Sequence, residues 1–270
     1  MKKHILIILL MASFAFNAAA QKREARNVGS FTKVSFRFPG KLYLKQGSKN
    51  SVELEGSADI LKEVQTRVDG NKLIIGKEGN WWGNWGDTEK ITAYVTLTSF
   101  EGASVGGSGD IIGESVFTGS NIDLSVSGSG SLMLEVNASG EIEADVSGSG
   151  SIVLKGKCQE LDSDVSGSGR VEANLAVGSK ASFEVSGSGK ISASGSAEEV
   201  KADISGSGKV LAADLKTKKC KVQISGSGDV EIDVAQELDA NISGSGTVRY
   251  RGNPNHVNGN ASGSGRVSKM

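Results

Sequence analysis

Histidine, cysteine and proline are almost missing from this chain, and their scarcity closes off much catalytic chemistry. Of 270 residues only His4 and His256 are histidines, and His4 lies in the first twenty residues. Triads and zinc sites built on several histidines are therefore excluded. His256, in the loop from Gly252 onward, reads as a solvated side chain. Two cysteines, Cys158 and Cys220, cannot make a disulfide-dense scaffold. Charge of one sign is also lacking. Without Lys2 and Lys3, 28 of the 30 basic residues remain against 31 acidic ones, which gives no electrostatic case for nucleic acid. Beyond residue 20 no apolar run is long enough to span a bilayer.

Glycine is the excess: 37 residues against 2 prolines, without a collagen triplet. Before that region, Lys2 and Lys3 start the chain, Ile5 to Phe16 is apolar, and Ala18, Ala19 and Ala20 are small. This is the pattern of a secretory signal peptide, residues 1–20, with cleavage expected before Gln21. Export follows, to the periplasm, the outer surface or the medium, with no membrane span left after cleavage.

The glycines keep a register. Ser-Gly-Ser-Gly begins at residues 127, 147, 166, 186, 205, 225, 243 and 262, and Gly106-Gly107-Ser108-Gly109 is an earlier variant, so copies lie 18 to 21 residues apart. A flexible linker has no reason to hold such a period; a solenoid does. Immediately before the tetrapeptide stand Val105, Val126, Val146, Val165, Val185, Ile204, Ile224, Ile242 and Ala261. Further apolar columns lie three and five residues earlier and two residues beyond its end, all on one parity. Each coil thus alternates inside and outside with the period of a β-strand. The period is too short for a helix pair, and the asparagine and leucine ladder of leucine-rich repeats is absent. The expected fold is all-β: a parallel β-helix of about 19–20 residues per coil, with rungs ~4.8 Å apart. By the same parity the tetrapeptide's glycines face inward and its serines outward, so a valine in place of one glycine should overfill the corner at a cost of ~1–3 kcal/mol.

Residues 21–105 alternate less regularly. Val34–Phe38, Leu42–Leu44, Val52–Leu54, Leu73–Ile75 and Ile91–Leu97 read as strands, and Ala58 to Val68 has room for a helical turn. This segment is expected to form irregular first coils and an N-terminal cap, continuous with the regular coils of 106–270. The last rung, from Ala261 to Lys269, needs its own loop, a partner or a second copy of the chain to cover it.

The order of a signal peptide, Gly29-Ser30-Phe31-Thr32-Lys33-Val34, Gln46-Gly47, a strand-rich stretch and stacked Ser-Gly-Ser-Gly coils resembles the family called putative auto-transporter adhesin, head GIN domain. The resemblance covers nearly all of the chain after residue 20. It implies a right-handed β-helix in a secreted or envelope protein and brings no catalytic residues, metal or cofactor with it. No translocator barrel follows the repeats, in contrast to a full autotransporter.

Three features invite a functional reading. Trp81, Trp82 and Trp85, all the tryptophans of the protein, share one glycine-rich loop. They suit contact with a glycan or a surface protein, or a cap on the solenoid end. Two residues before the tetrapeptide an outward polar ladder includes Asp145, Asp164, Glu184 and Asp203. It suits a solvated face, calcium, or paired acids of a polysaccharide-active enzyme. The serine columns offer hydroxyls to sugars. Cys158 and Cys220 fall about three coils apart, ~14 Å along the axis, too far for a bridge. The readings left open are an adhesion or partner-binding module, a structural or sensor module assembling through its open end, and a polysaccharide-active enzyme.

Overall fold

The structure is a computed structural model that describes residues 21–77 and 90–270. Its N-terminal elements are β1 (Lys22–Arg26), β2 (Lys33–Phe36), β3 (Gly40–Gln46), β4 (Ser51–Gly56), α1 (Ala58–Glu63), β5 (Val64–Asp69), β6 (Lys72–Lys77) and β7 (Ile91–Leu97). The regular part begins with β8 (Gly102–Gly107), β9 (Asp110–Gly119), β10 (Ile122–Gly128), β11 (Ser131–Ala138), β12 (Glu141–Gly148), β13 (Ser151–Cys158) and β14 (Glu160–Gly167). It continues through β15 (Arg170–Val177), β16 (Lys180–Gly187), β17 (Lys190–Gly206), β18 (Lys209–Gly226) and β19 (Asp229–Gly244) to β20 (Thr247–Arg251), β21 (His256–Gly263) and β22 (Arg266–Lys269).

Alternation makes these strands and sets their register. Along β11, Leu132, Leu134, Val136 and Ala138 are buried while Met133 and Glu135 are exposed. A slip of one residue would turn that row to solvent, so each coil locks onto the one beneath with its apolar columns aligned. Ile122, Leu124 and Val126 of β10 pair in parallel with Ile142, Ala144 and Val146 of β12, and these with Leu161, Ser163 and Val165 of β14. The result is a β-solenoid of about eight turns. Among the described residues no helix is long and apolar enough to cross a membrane.

The two glycines of each tetrapeptide have different tasks, which corrects the expectation that both face inward. Gly130 is buried, and a Cβ there would lie 2.6 Å from Val105 Cγ1 of the preceding coil. Gly128 is half-exposed with φ +118°, and its Cβ would meet the Gly107 carbonyl oxygen at 2.6 Å. The parity count fails at the first glycine because the chain turns there through a positive φ that side chains avoid. Both serines point out: Ser127 and Ser129 are exposed.

The core is a set of stacked columns with large and small residues alternating. One runs Leu124, Ala144, Ser163, Phe183, Ala202, Val222, Ala240. Ser163 is fully buried and its Oγ has no hydrogen-bond partner among the described residues. Burying an unpaired hydroxyl is unfavourable, and alanine already serves at this height in the coil beneath. Ser163→Ala is therefore expected to stabilise the protein by about 1 kcal/mol, read as a rise of a few degrees in melting temperature. No rise, or a fall, would mean the hydroxyl is satisfied.

At the N-terminal end the coils are not stacked in chain order. β2 and β3 lie between the coil of β6 and β7 and the coil of β8 and β9, pairing in parallel with both. The outer edge of β7 is covered by β4, which β1 covers in turn, and that of β6 by β5; all three pairings are antiparallel. Ser57 caps α1 by accepting from the Ile60 amide, and the helix lays Ile60 and Leu61 into the core. The helical turn ends at Glu63, and Val64 already belongs to β5. Cys158 and Cys220 are buried free thiols, and burial pushes their pKa values up to about 11 and about 12.

Candidate functional site: a polar trough beside the glycine corner

The residues two places before each tetrapeptide form one straight column. Ser35, Ser104, Ser125, Asp145, Asp164, Glu184, Asp203, Gln223, Asn241 and Asn260 stand in register from coil to coil. Beside it runs the column of first serines, from Ser127 to Ser262, at the same rung spacing. Between them the surface is concave over two stretches. Toward the C-terminal end an open trough of about 880 Å³ is lined by Asp203, Gln223, Asn241 and Asn260 on one side and by the serines from Ser205 to Ser262 on the other. Toward the N-terminal end a second hollow of about 390 Å³ lies on the same columns, with Ser35, Arg37, Lys72, Ser125 and Ser127 at its wall.

Charge divides the column. Between the two hollows Asp145, Asp164 and Glu184 stack without an ion pair among the described residues, with Glu143 and Asp162 alongside. The cations of this face stand at the ends of the stack: Lys33 meets Asp123 at 3.0 Å, and Lys201 meets Asp203 at 2.5 Å. Arg170 and Lys209, beyond the corner, pair instead with Glu172 and Asp229. Buried Oδ1 atoms of Asp164 and Asp203 have no hydrogen-bond partner among the described residues. Partial burial, then Glu143, Asp164, Asp123 and Asp162 in decreasing order, raise the Asp145 carboxyl to about 6. Burial and Asp162 raise Asp164 as well. Lys201 is shifted up by its bond to Asp203. Toward the C-terminal end amides replace acids, and Asn260 donates to Asn241 at 3.2 Å.

The raised carboxyl at Asp145 has a direction in pH. Its folded pKa lies above that of a free aspartate, so the folded protein holds more protons between pH ~4 and ~6. Its contribution to stability is therefore best below ~4, falls as pH rises through that window and stays low above it. Asp145→Asn should raise stability at pH 7 by on the order of 1 kcal/mol after allowance for solvent screening, and by nothing near pH 4. Melting curves of both proteins at the two pH values check this; an equal effect at both would remove the acid ladder as its cause.

The structure brings Asp145, Asp164, Glu184 and Asp203 together on one face. Trp81, Trp82 and Trp85 lie outside the described residues. The strands that flank their segment are placed: Ile75 is in register with Phe36, and Ile91 with Gly40. Lys77 ends the strand before that segment, and Ile91 begins the strand after it. Val105, in register with Phe36, precedes the first tetrapeptide.

One outward column was not read from the sequence. Tyr94, Tyr43, Ile112, Met133 and Val153 follow one another across five strands. The two tyrosine rings stack with centroids 5.5 Å apart, and the Arg23 guanidinium covers Tyr94 at 4.0 Å. Cross-strand stacking of this kind steadies the N-terminal coils. Its signal was there, as aromatic residues on the outward parity of two strands. Among the described residues no cluster of three or more His, Cys, Asp or Glu is arranged to hold a metal ion.

The family model described as putative auto-transporter adhesin, head GIN domain, matches residues 30–192 and 174–254. A search of curated proteins finds no match. Among solved structures, a putative lipid binding protein from Parabacteroides distasonis is 22% identical, with 94% of this chain and 98% of that one covered and a TM-score of 0.69. A putative adhesin from Parabacteroides merdae is 19% identical over 94% and 97% of the two chains, with a TM-score of 0.64. A putative adhesin from Parabacteroides distasonis is 20% identical over 94% and 98%, also at 0.64. At these identities the neighbours establish the fold.

Proposed function

Because the chain belongs to the family described as putative auto-transporter adhesin, head GIN domain, we propose that it is an exported, non-catalytic envelope module that holds an extended glycan along its polar trough. The family and its structural neighbours are described as adhesins or binding proteins rather than enzymes, which supports the coarse reading. The observation that carries the finer one is the unbroken column from Ser35 to Asn260, accompanied by serines. From Asp145 to Asn260 each rung presents a hydroxyl and an amide or carboxyl, repeated every ~4.8 Å. A linear chain of sugars laid along the axis would meet a new donor and acceptor at nearly every unit. Individually such bonds are weak, about 1 kcal/mol net, and their number supplies the affinity. Trp81, Trp82 and Trp85 offer flat apolar faces of the kind on which sugar rings stack. The apolar segment of residues 5–16 and the small residues before Gln21 support export by a signal peptide.

The test is a titration of intrinsic tryptophan fluorescence with neutral and charged polysaccharides, with phospholipid vesicles as a control. Binding to one glycan is expected, weakened at least about tenfold by Gln223→Ala with Asn241→Ala, at unchanged melting temperature. Binding that ignores both substitutions, or occurs only with vesicles, would refute the trough. Polysaccharide cleavage is the second reading, favoured by Asp145, whose raised carboxyl lies one rung from Asp164. Release of new reducing ends, abolished by Asp145→Asn, would establish it instead.

A further inference from the structure

The two ends of the solenoid are finished differently. At the N-terminal end β1, β4, β5 and α1 cover the first coil. At the other end all eight residues of β21 are exposed, and among the described residues β19 is its one pairing partner. Register identifies which of its backbone groups are left over. Asn258 stands in the column of Asp123, whose amide donates to the Glu101 carbonyl of the coil beneath at 3.0 Å. Successive residues of a parallel strand address opposite neighbours. The amides and carbonyls of Val257, Gly259 and Ala261 therefore face outward along the axis.

That edge has none of the usual protections. From Val257 to Gly263 it carries no proline, no charge and no positive φ before Gly263. Val257 is 40% exposed, in the column of the buried Leu238. Its sequence, Val257-Asn258-Gly259-Asn260-Ala261, reads nearly the same from either end. We infer that β21 pairs antiparallel with β21 of a second copy, about a two-fold axis at Gly259, joining two solenoids end to end. In that register Val257 and Ala261 of the partner stand opposite each other on the core side. Asn258 stands opposite Asn260 of the partner on the outer side. The three outward-facing residues become the hydrogen-bonded pairs of an antiparallel ladder. A same-patch contact of this kind closes as a dimer rather than growing into a fibre. The trough of each copy ends at Asn260, so the two troughs would meet at the joint.

Sedimentation velocity on the purified chain over a wide concentration range tests the inference, which stands whether or not any glycan binds. The wild type is expected to form a dimer and nothing larger. Asn258→Lys with Asn260→Lys places like charges directly opposite each other and should weaken the dimer at least about tenfold, as should the matching pair of aspartates. An equal mixture of the two variants should recover a dimer, because opposite charges then face each other. Melting curves confirm that each variant is folded. A wild type that stays monomeric, a ladder of larger species, variants that dimerise as before, or a mixture that stays monomeric would each overturn it.

Discussion

Gly156→Ala is expected to destabilise the protein by roughly 3–5 kcal/mol, although it adds one methyl group at a half-exposed position. Gly156 has φ +123°, and a Cβ there would fall 1.9 Å from the Val136 carbonyl oxygen of the coil beneath. That oxygen belongs to backbone fixed by the rung ladder, so it cannot swing away as a side chain would. Relief requires a change of backbone torsion at residue 156 or a separation of two rungs, and either sacrifices ladder hydrogen bonds. Gly29→Ala is the matched control, since nothing lies within 4 Å of its Cβ and its φ is not positive. Chemical denaturation of the two variants should show a large loss in the first and a change below about 0.5 kcal/mol in the second. A small loss in both would mean the rungs can part cheaply, contrary to a tightly stacked solenoid.

Phe183→Ala is the second large effect, through the core rather than the backbone. Phe183 is buried between Ser163 of the coil beneath and Ala202 of the coil above. Neither neighbour can fill the space a lost ring leaves. The expected cost is about 3–5 kcal/mol. In a solenoid each coil touches chiefly its neighbours, so the damage should be local. Hydrogen exchange should accelerate in β14, β16 and the second half of β17, while β2, β3 and β21 keep their rates. Uniform acceleration along the chain would show instead that the rod unfolds as one unit.

These two predictions differ in how far the sequence prepares for them. Phe183 stands in an apolar column readable from the repeat, because every copy carries a tetrapeptide to align on. Gly156 does not: its column reads Val136, Gly156, Leu175, Gly195 and Leu215, with no constant residue to mark it. The need for glycine there arises from a backbone turn seen only in three dimensions. The same limit hid the order of the first coils. The strand around Val34 and the strand around Leu73 show the same alternation, and nothing in either states that the earlier one stacks second. Which pairs with which is decided by the hydrogen bonds of whole strands.

The candidate site divides in the same way. The ladder of Asp145, Asp164, Glu184 and Asp203 and its outward direction were legible from parity alone, because side chains of a strand alternate strictly. That this column borders a concave surface depends on the bend at Gly128 and its counterparts, where the chain passes through a positive φ. The raised carboxyl of Asp145 also required the structure, since it follows from partial burial and from neighbours on three coils.

What the amino-acid sequence determined by itself was periodic: the coil length, the inward and outward faces, the glycine corners and the aligned serines. Periodicity is a local property, repeated until it is unmistakable. What the tertiary structure decided was everything that depends on meeting another coil. That includes the coil order at the N-terminal end, the separate tasks of the two glycines, the hollow beside the polar column and the bare edge of the last rung. Stacking turns one-dimensional registers into surfaces, and curvature and exposure exist only once the coils are in place.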